Sequence, residues 1–231
     1  MTRLLSVIIL LLILVGCATH PPLLSTEPAQ VSGALLDTLR STVTLSLHSA
    51  EKNLAGRGVM VYRRPDQLRL IILSPFGTTV MEAQLAGNQL TLAYPSSGVA
   101  YRGTLGELPA TAGQQPLAML RWVLAFETPA GGPKDGIITR PTGQGEVEQI
   151  RLANGLVVEK RLSDGQRVRY HNYTVLAGVP VPLELRMDNA DGDHIRLTLE
   201  EPEVNIPLAD HLFAIPLQGL RLFPLASLKD R

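Results

Sequence analysis

A chain of 231 residues in which 21 Lys and Arg balance 21 Asp and Glu has no net charge, and a nucleic-acid partner, which calls for excess cations, is not expected. Hydrophobic residues make up 45% of it and aromatic ones only 4%. The apolar mass is therefore Leu, Val, Ile and Ala, which suits an aliphatic interior better than a stacking platform for sugars or bases.

The N-terminus carries one positive charge at Arg3, then an apolar run from Leu4 to Val15 interrupted only by Ser6, then Gly16 and Cys17. This run is too short for the roughly 20 residues that span a bilayer core, so residues 1–16 read as a cleaved signal peptide. Leu14-Val15-Gly16-Cys17 resembles the bacterial lipobox, in which the cysteine receives a diacylglycerol and becomes the acylated N-terminus. Cys17 is the only cysteine, and lipidation would remove the unpaired thiol that a secreted chain would otherwise carry. Ala18, rather than aspartate, follows it, which resembles an outer-membrane address in the sorting pattern of lipoproteins.

Residues 17–32, rich in proline and small polar side chains, read as a lipidated tether, and residues 33–231 as one domain. GALLDTLR, Gly33 to Arg40, places Leu35, Leu36 and Leu39 at helical spacing and predicts a short amphipathic helix. The period then changes to two. TVTLSLHS, GRGVMVYRR, DQLRLIILS, TTVMEAQL and NQLTLAYP, and later GLVVEKRL, QRVRYHNYTVL, VPLELRM and HIRLTLEE, predict an antiparallel meander, with SDGQ and NADGD as hairpin turns. Between the two series, QPLAMLRWVLAF, Gln115 to Phe126, predicts a helix begun by Pro116 and apolar on most sides. Such a helix must be covered on most sides, clasped in a core or laid as a lid over an apolar cavity, and the two are compatible.

A mainly β fold follows: an open, incomplete antiparallel β-barrel, or half-barrel, closed by a helical lid. Leu68, Leu70 and Ile72 share one strand face, and Val181, Leu183, Leu185 and Met187 share another. With Met119, Leu120 and Trp122 from the helix, Leu68, Leu70 and Ile72 are the candidates for the wall of an acyl cavity. In LSPFGTTV, Pro75 and Gly77 end a strand and force a turn, which presents Phe76 at its tip unless the loop folds back over a core edge.

The order of lipobox, tether and strands, with the stretch GRGVMVYRRPDQLRLIILSPFGTTVMEAQLAGNQLTLAYP, resembles the LolB family of outer-membrane lipoprotein receptors and, more distantly, the soluble LolA carriers. The likeness is best from Arg69 to Leu92 and returns in EVNIPLADHLFAIP; it is poor between Gly103 and Gly145, and the family favours leucine at the position of Phe76. The resemblance implies an apolar cavity that takes acyl chains of lipoproteins, a periplasmic lipoprotein carrier as donor, and insertion of the cargo into the outer membrane. Pro75, Phe76 and Gly77 would then form the membrane-insertion or transfer loop. The chain is expected to act as a monomer, lipid-anchored on the periplasmic face of the outer membrane. The other reading is a structural or assembly lipoprotein of the same fold with no transfer role.

No cofactor, metal site or catalytic residue is expected. His20, His48, His171, His194 and His211 fall in no metal-ligand spacing, and no nucleophile elbow or Walker loop is present. Ser46 and His48 share a strand face without an orienting acid, and Asp188, Asp191 and Asp193 read as a turn rather than a calcium loop. Arg63-Arg64 and Arg167-Arg169 read as solvated strand edges.

Overall fold

The computed structural model describes residues 35–48, 53–109, 115–129, 131–142, 146–189 and 194–228. The signal peptide, Cys17, the tether and the turn residues Asp191 and Asp193 lie outside the described residues.

The strands are β1 (Thr38–His48), β2 (Asn53–Arg63), β3 (Gln67–Leu73), β4 (Thr79–Ala86), β5 (Gln89–Tyr94), β6 (Val99–Thr104), β7 (Gly136–Pro141), β8 (Val147–Ala153), β9 (Leu156–Leu162), β10 (Arg167–Leu176), β11 (Val179–Asp188), β12 (His194–Val204) and β13 (Arg221–Pro224). They form one 13-stranded sheet in the order β13-β6-β5-β4-β3-β2-β1-β12-β11-β10-β9-β8-β7. β1 therefore sits inside the sheet, between β2 and the returning β12, and all neighbours run antiparallel except β13, which joins β6 in parallel. Strands β7 and β13 stand at opposite edges, so the sheet is open and not closed into a barrel.

Register fixes the two ends of the sheet. Thr38 lies opposite Arg63, Arg63 opposite Gln67, and Gln67 opposite Ala86, so the start of β1 is level with the β2–β3 and β4–β5 turns. The β3–β4 turn lies at the other end.

The expected helix over Gly33–Arg40 is absent from the part described: Leu35–Asp37 have no regular structure and Thr38 opens β1. Two forces override the leucine spacing. Leu39, Ser41 and Val43 are buried at period two, which only a strand provides. Asn205 supplies the local backbone partners, its Oδ1 accepting the N–H of Asp37 (2.8 Å) and Thr38 (3.3 Å) while its Nδ2 donates to the Leu35 carbonyl (2.9 Å). Long-range packing thus wins over a weak local preference.

The second expected helix is present as α1 (Gln115–Leu124), the only α-helix among the described residues. Leu120, Val123 and Leu124, followed by Phe126, join one apolar cluster with inward side chains from both halves of the sheet, including Leu70, Leu92, Val168 and Leu185. Gly58 allows β2 and β3 to meet closely, since a Cβ there would fall 1.9 Å from the Ile71 carbonyl oxygen. After β12 the chain crosses the outer face of the first half. Phe213 lies under the Arg63 guanidinium at 4.4 Å, and Ile215 packs on Ala93 and Ala100. Leu225 and Leu228 then enter the main cluster.

Candidate functional site

The β3–β4 turn is built around Ser74. Its hydroxyl oxygen accepts the N–H groups of Phe76 (3.2 Å) and Thr78 (3.3 Å) and shares a hydrogen with Thr78 Oγ1 at 2.7 Å. The Ser74 carbonyl takes the Gly77 N–H at 2.9 Å, and the Ser74 N–H donates to the Thr78 carbonyl at 2.8 Å. Gly77 adopts φ +80°, which a side chain would strain. The result is a defined turn on which Phe76 stands 93% exposed, not folded back over a core edge. Full burial of such a ring is worth about 1.5–3 kcal/mol, so folding leaves that gain unused.

On the core face, the structure places Leu68, Leu70 and Leu120 inside the main apolar cluster, exposed by only 3%, 1% and 4%. Ile72, Met119 and Trp122 are half-buried and packed against the same cluster. The six are thus brought together, and the row Leu68, Leu70, Ile72 runs along β3 toward the turn that carries Phe76.

Beside them lies a buried polar group that period and motif reading passed over. Lys160 of β9 is 1% exposed, and its Nζ donates to the carbonyls of Trp122 and Ala125 (2.9 Å) at the end of α1. The same Nζ lies 4.8 Å from the centre of the Trp122 ring and 3.9 Å from Glu148 Oε2. Glu148 of β8, also buried, accepts the Trp122 indole N–H at 2.7 Å and Arg140 Nε at 2.6 Å. Tyr170 of β10 donates its hydroxyl to the Val123 carbonyl at 2.7 Å. A signal existed: Glu148 shares its strand phase with buried Ile150 and Leu152, and Lys160 with buried Leu162, so charges occupy core positions.

Burial lowers the Lys160 pKa to about 8, although Glu148 opposes the shift. Burial alone would push the Glu148 carboxyl up, but Lys160, with the Arg140 and Trp122 hydrogen bonds, holds it below its ordinary value. Because Lys160 titrates lower in the folded chain, the unfolded chain binds more protons between pH 8 and its ordinary value of 10.5, and stability rises with pH there. Urea unfolding should show a gain of about 1.5 kcal/mol from pH 8 to about 9.5, absent in Lys160→Met. Above about pH 10 the slope should reverse, because burial raises Tyr62, Tyr170 and Tyr173 and their unfolded forms ionise first.

The remaining candidates are engaged elsewhere. Arg63 pairs with Asp210 at 2.8 Å and Arg64 with Glu127, so both brace the β2–β3 turn rather than standing as free solvated charges. Asp188 holds Arg167 at 2.8 Å, Arg169 at 3.3 Å and His194 at 2.7 Å. Ser46 lies opposite Arg196, and His48 opposite His194, across β1 and β12.

Comparison with solved structures places the fold. A DUF1329 family protein from Desulfovibrio piger superposes with a TM-score of 0.60 at 12% identity, over 81% of this chain and 92% of that one. A domain from Vibrio parahaemolyticus named for outer membrane lipoprotein sorting gives 0.53 at 10% identity, over 77% and 89%. A LolA superfamily protein from Nitrosomonas europaea gives 0.49 at 14% identity, over 79% and 92%. At such identities the likeness of the first two is one of fold. No curated protein matches the sequence. The family model described as outer membrane lipoprotein LolB matches residues 38–201, from the first residue of β1 into β12. The chain belongs to the LolB family.

Proposed function

We propose that this chain is a lipoprotein receptor of the outer membrane, lipid-anchored through Cys17 on the periplasmic face, which takes lipoprotein acyl chains from a periplasmic carrier and passes them to the bilayer. The observation that carries this reading is the hydrogen-bonded turn presenting Phe76 at 93% exposure. An ordered, unburied phenyl ring serves contact with an apolar partner better than it serves the fold. In this reading α1 is the lid of a half-barrel, and the acyl chains lie beneath it against Leu68, Leu70, Ile72, Met119, Leu120 and Trp122. Family membership supports the setting. No helix among the described residues is long and apolar enough to cross a membrane.

Two measurements test it. With Cys17→Ala the protein should leave the membrane fraction, since two or three acyl chains at about 0.8 kcal/mol per buried methylene are what hold it there. Retention after a high-salt wash would overturn the anchor. Leu70→Trp should lower binding of palmitate while costing little stability, because a true void accepts volume that a packed core rejects at about 1–3 kcal/mol. The low exposure of Leu68, Leu70 and Leu120 favours a second reading, a structural lipoprotein with a packed core. Destabilised Leu70→Trp, from a wild type that binds no palmitate, would establish that reading instead.

A further inference from the structure

Arginine faces arginine across the second half of the sheet. Arg169 of β10 lies directly opposite Arg186 of β11, and Arg186 opposite Arg196 of β12. Each is flanked along its own strand by buried residues, so the three side chains share the face turned away from the core. Two residues nearer the β9–β10 turn, Arg167 lies opposite Arg161. Like charges placed in this way destabilise a sheet. Carboxylates offset part of the cost. Glu159 holds Arg169 at 3.4 Å, Arg161 at 3.6 Å and Arg151 at 3.9 Å, Asp188 holds Arg167 and Arg169, and Glu184 holds Arg196 at 3.2 Å together with Arg186. Six arginines thus share three carboxylates, and positive charge is in excess on this face. It is open to a partner: the side chains of Arg161, Arg186 and Arg196 are 49%, 44% and 55% exposed.

Register sets the height of these charges. Arg196 lies opposite Ser46 and Ser46 opposite Ala55, which is two residues beyond Arg57, the partner of Leu73, so the first row meets the β3–β4 turn at the level of Pro75. The row of Arg161 and Arg167 continues through Asp188, His194, His48 and Asn53 and meets the turn at the level of Gly77. The two rows bracket Phe76. The opposite end of β12 carries Glu200, Glu201 and Glu203, so charge is sorted along the strands, with its positive end beside the exposed ring. A bilayer presents phosphate groups above its apolar interior, and guanidinium groups match phosphate in both charge and geometry. We propose that the arginine rows on the outer face of β9 to β12 are a docking surface for the anionic phospholipid headgroups of the bilayer that Phe76 meets. The inference rests on the reading that the Phe76 turn contacts the membrane. It adds a lipid preference: the ring enters the apolar layer while arginines at its own height hold the phosphates above it.

The test uses the full chain with Cys17→Ala, free of the proposed anchor, floated with vesicles of phosphatidylcholine alone or with about 30% phosphatidylglycerol, at about 0.05 M and about 0.5 M salt. Residues before Thr38 are common to every variant, so differences among variants belong to the domain. At low salt the chain should prefer the anionic vesicles at least about thirtyfold, and at high salt the preference should fall below about threefold. Arg161→Gln/Arg196→Gln should cut the low-salt preference about tenfold and melt where the parent chain melts, because Glu159 keeps Arg169 and Arg151 and Glu184 keeps Arg186. Arg40→Gln/Arg102→Gln removes as much charge far from the rows and should leave the preference within about twofold. Equal binding to the two vesicles would overturn the docking surface and leave the rows to an acidic protein partner. Equal losses in the two double variants would overturn it as well, by reducing the effect to total charge. None of these readouts uses cargo, so the lipid preference stands or falls apart from the transfer role, which delivery by Phe76→Glu decides.

Discussion

A Phe76→Glu protein should melt where the wild type melts and fail to deliver its cargo. The turn is held by Ser74, Gly77 and Thr78 through backbone and hydroxyl bonds, none of which uses the phenyl ring. Removing a ring that is 93% exposed therefore falls among surface changes, within about 0.5 kcal/mol. Delivery is different. A phenyl ring gains up to about 1.5–3 kcal/mol on leaving water, and a carboxylate in its place repels the same apolar surroundings. Loss of even the lower figure is about tenfold, so transfer of a fluorescent model lipoprotein from the chain to liposomes should slow at least that much. Palmitate binding by the chain itself should persist. Normal delivery by a stable Phe76→Glu protein would sink the transfer role, and a loss of several kcal/mol would identify Phe76 as part of the core.

Glu148→Ala is expected to be the most damaging single substitution in the polar group under α1. It removes the counter-ion 3.9 Å from a lysine that is 1% exposed, and it strips the acceptor from the Trp122 indole. Breaking a buried pair on one side costs about 3–5 kcal/mol, because the remaining charge stays buried. Urea unfolding at pH 7 should show that loss. Glu148→Gln, which can still accept from the indole, should lose less, and the deficit of Glu148→Ala should shrink as pH rises past 8 and Lys160 gives up its proton. A loss below about 1 kcal/mol, or one independent of pH, would show that the pair contributes little.

The parts of the fold that were legible in the sequence are those whose burial is local. Strands β1 to β5 and β9 to β12 were legible from alternating or β-branched apolar residues directed at the core, and α1 stood out as an apolar run opened by Pro116. Strands β6, β7, β8 and β13 were missed, the last three for separate reasons. β7 is exposed nearly throughout and has no apolar phase to betray it. β13 is four residues long and gains its place only by joining β6. In β8 a glutamate begins the buried phase, which breaks the apolar alternation where the polar group under α1 lies. The segment after Val204 is anchored by Phe213, Ile215, Leu225 and Leu228 at irregular spacing, because it wraps around a sheet instead of repeating a local geometry. Leu35 to Leu39 misled in the opposite sense. Their spacing is helical, but Asn205, far away in sequence, completes their backbone bonding. Phe76 was legible because a large apolar residue between proline and glycine has few places to hide. Lys160 was not, since its role depends on carbonyls at the end of a helix that only folding brings near.

The direction of β1 sets a condition on the tether. The strand begins level with Gln67, and Phe76 lies about 30 Å farther along the β3 axis at about 3.3 Å per residue. Under the proposed anchor, the lipid at Cys17 is thus joined to the end of the domain remote from the ring that must touch the same bilayer. The roughly 20 residues between Cys17 and Thr38 can extend to about 70 Å, enough for the strap to run back past the whole sheet and let the domain stand with Phe76 toward the lipid. Under that proposal, chain length before the first strand is a working dimension: a leash cut to half its reach would hold the domain the wrong way up.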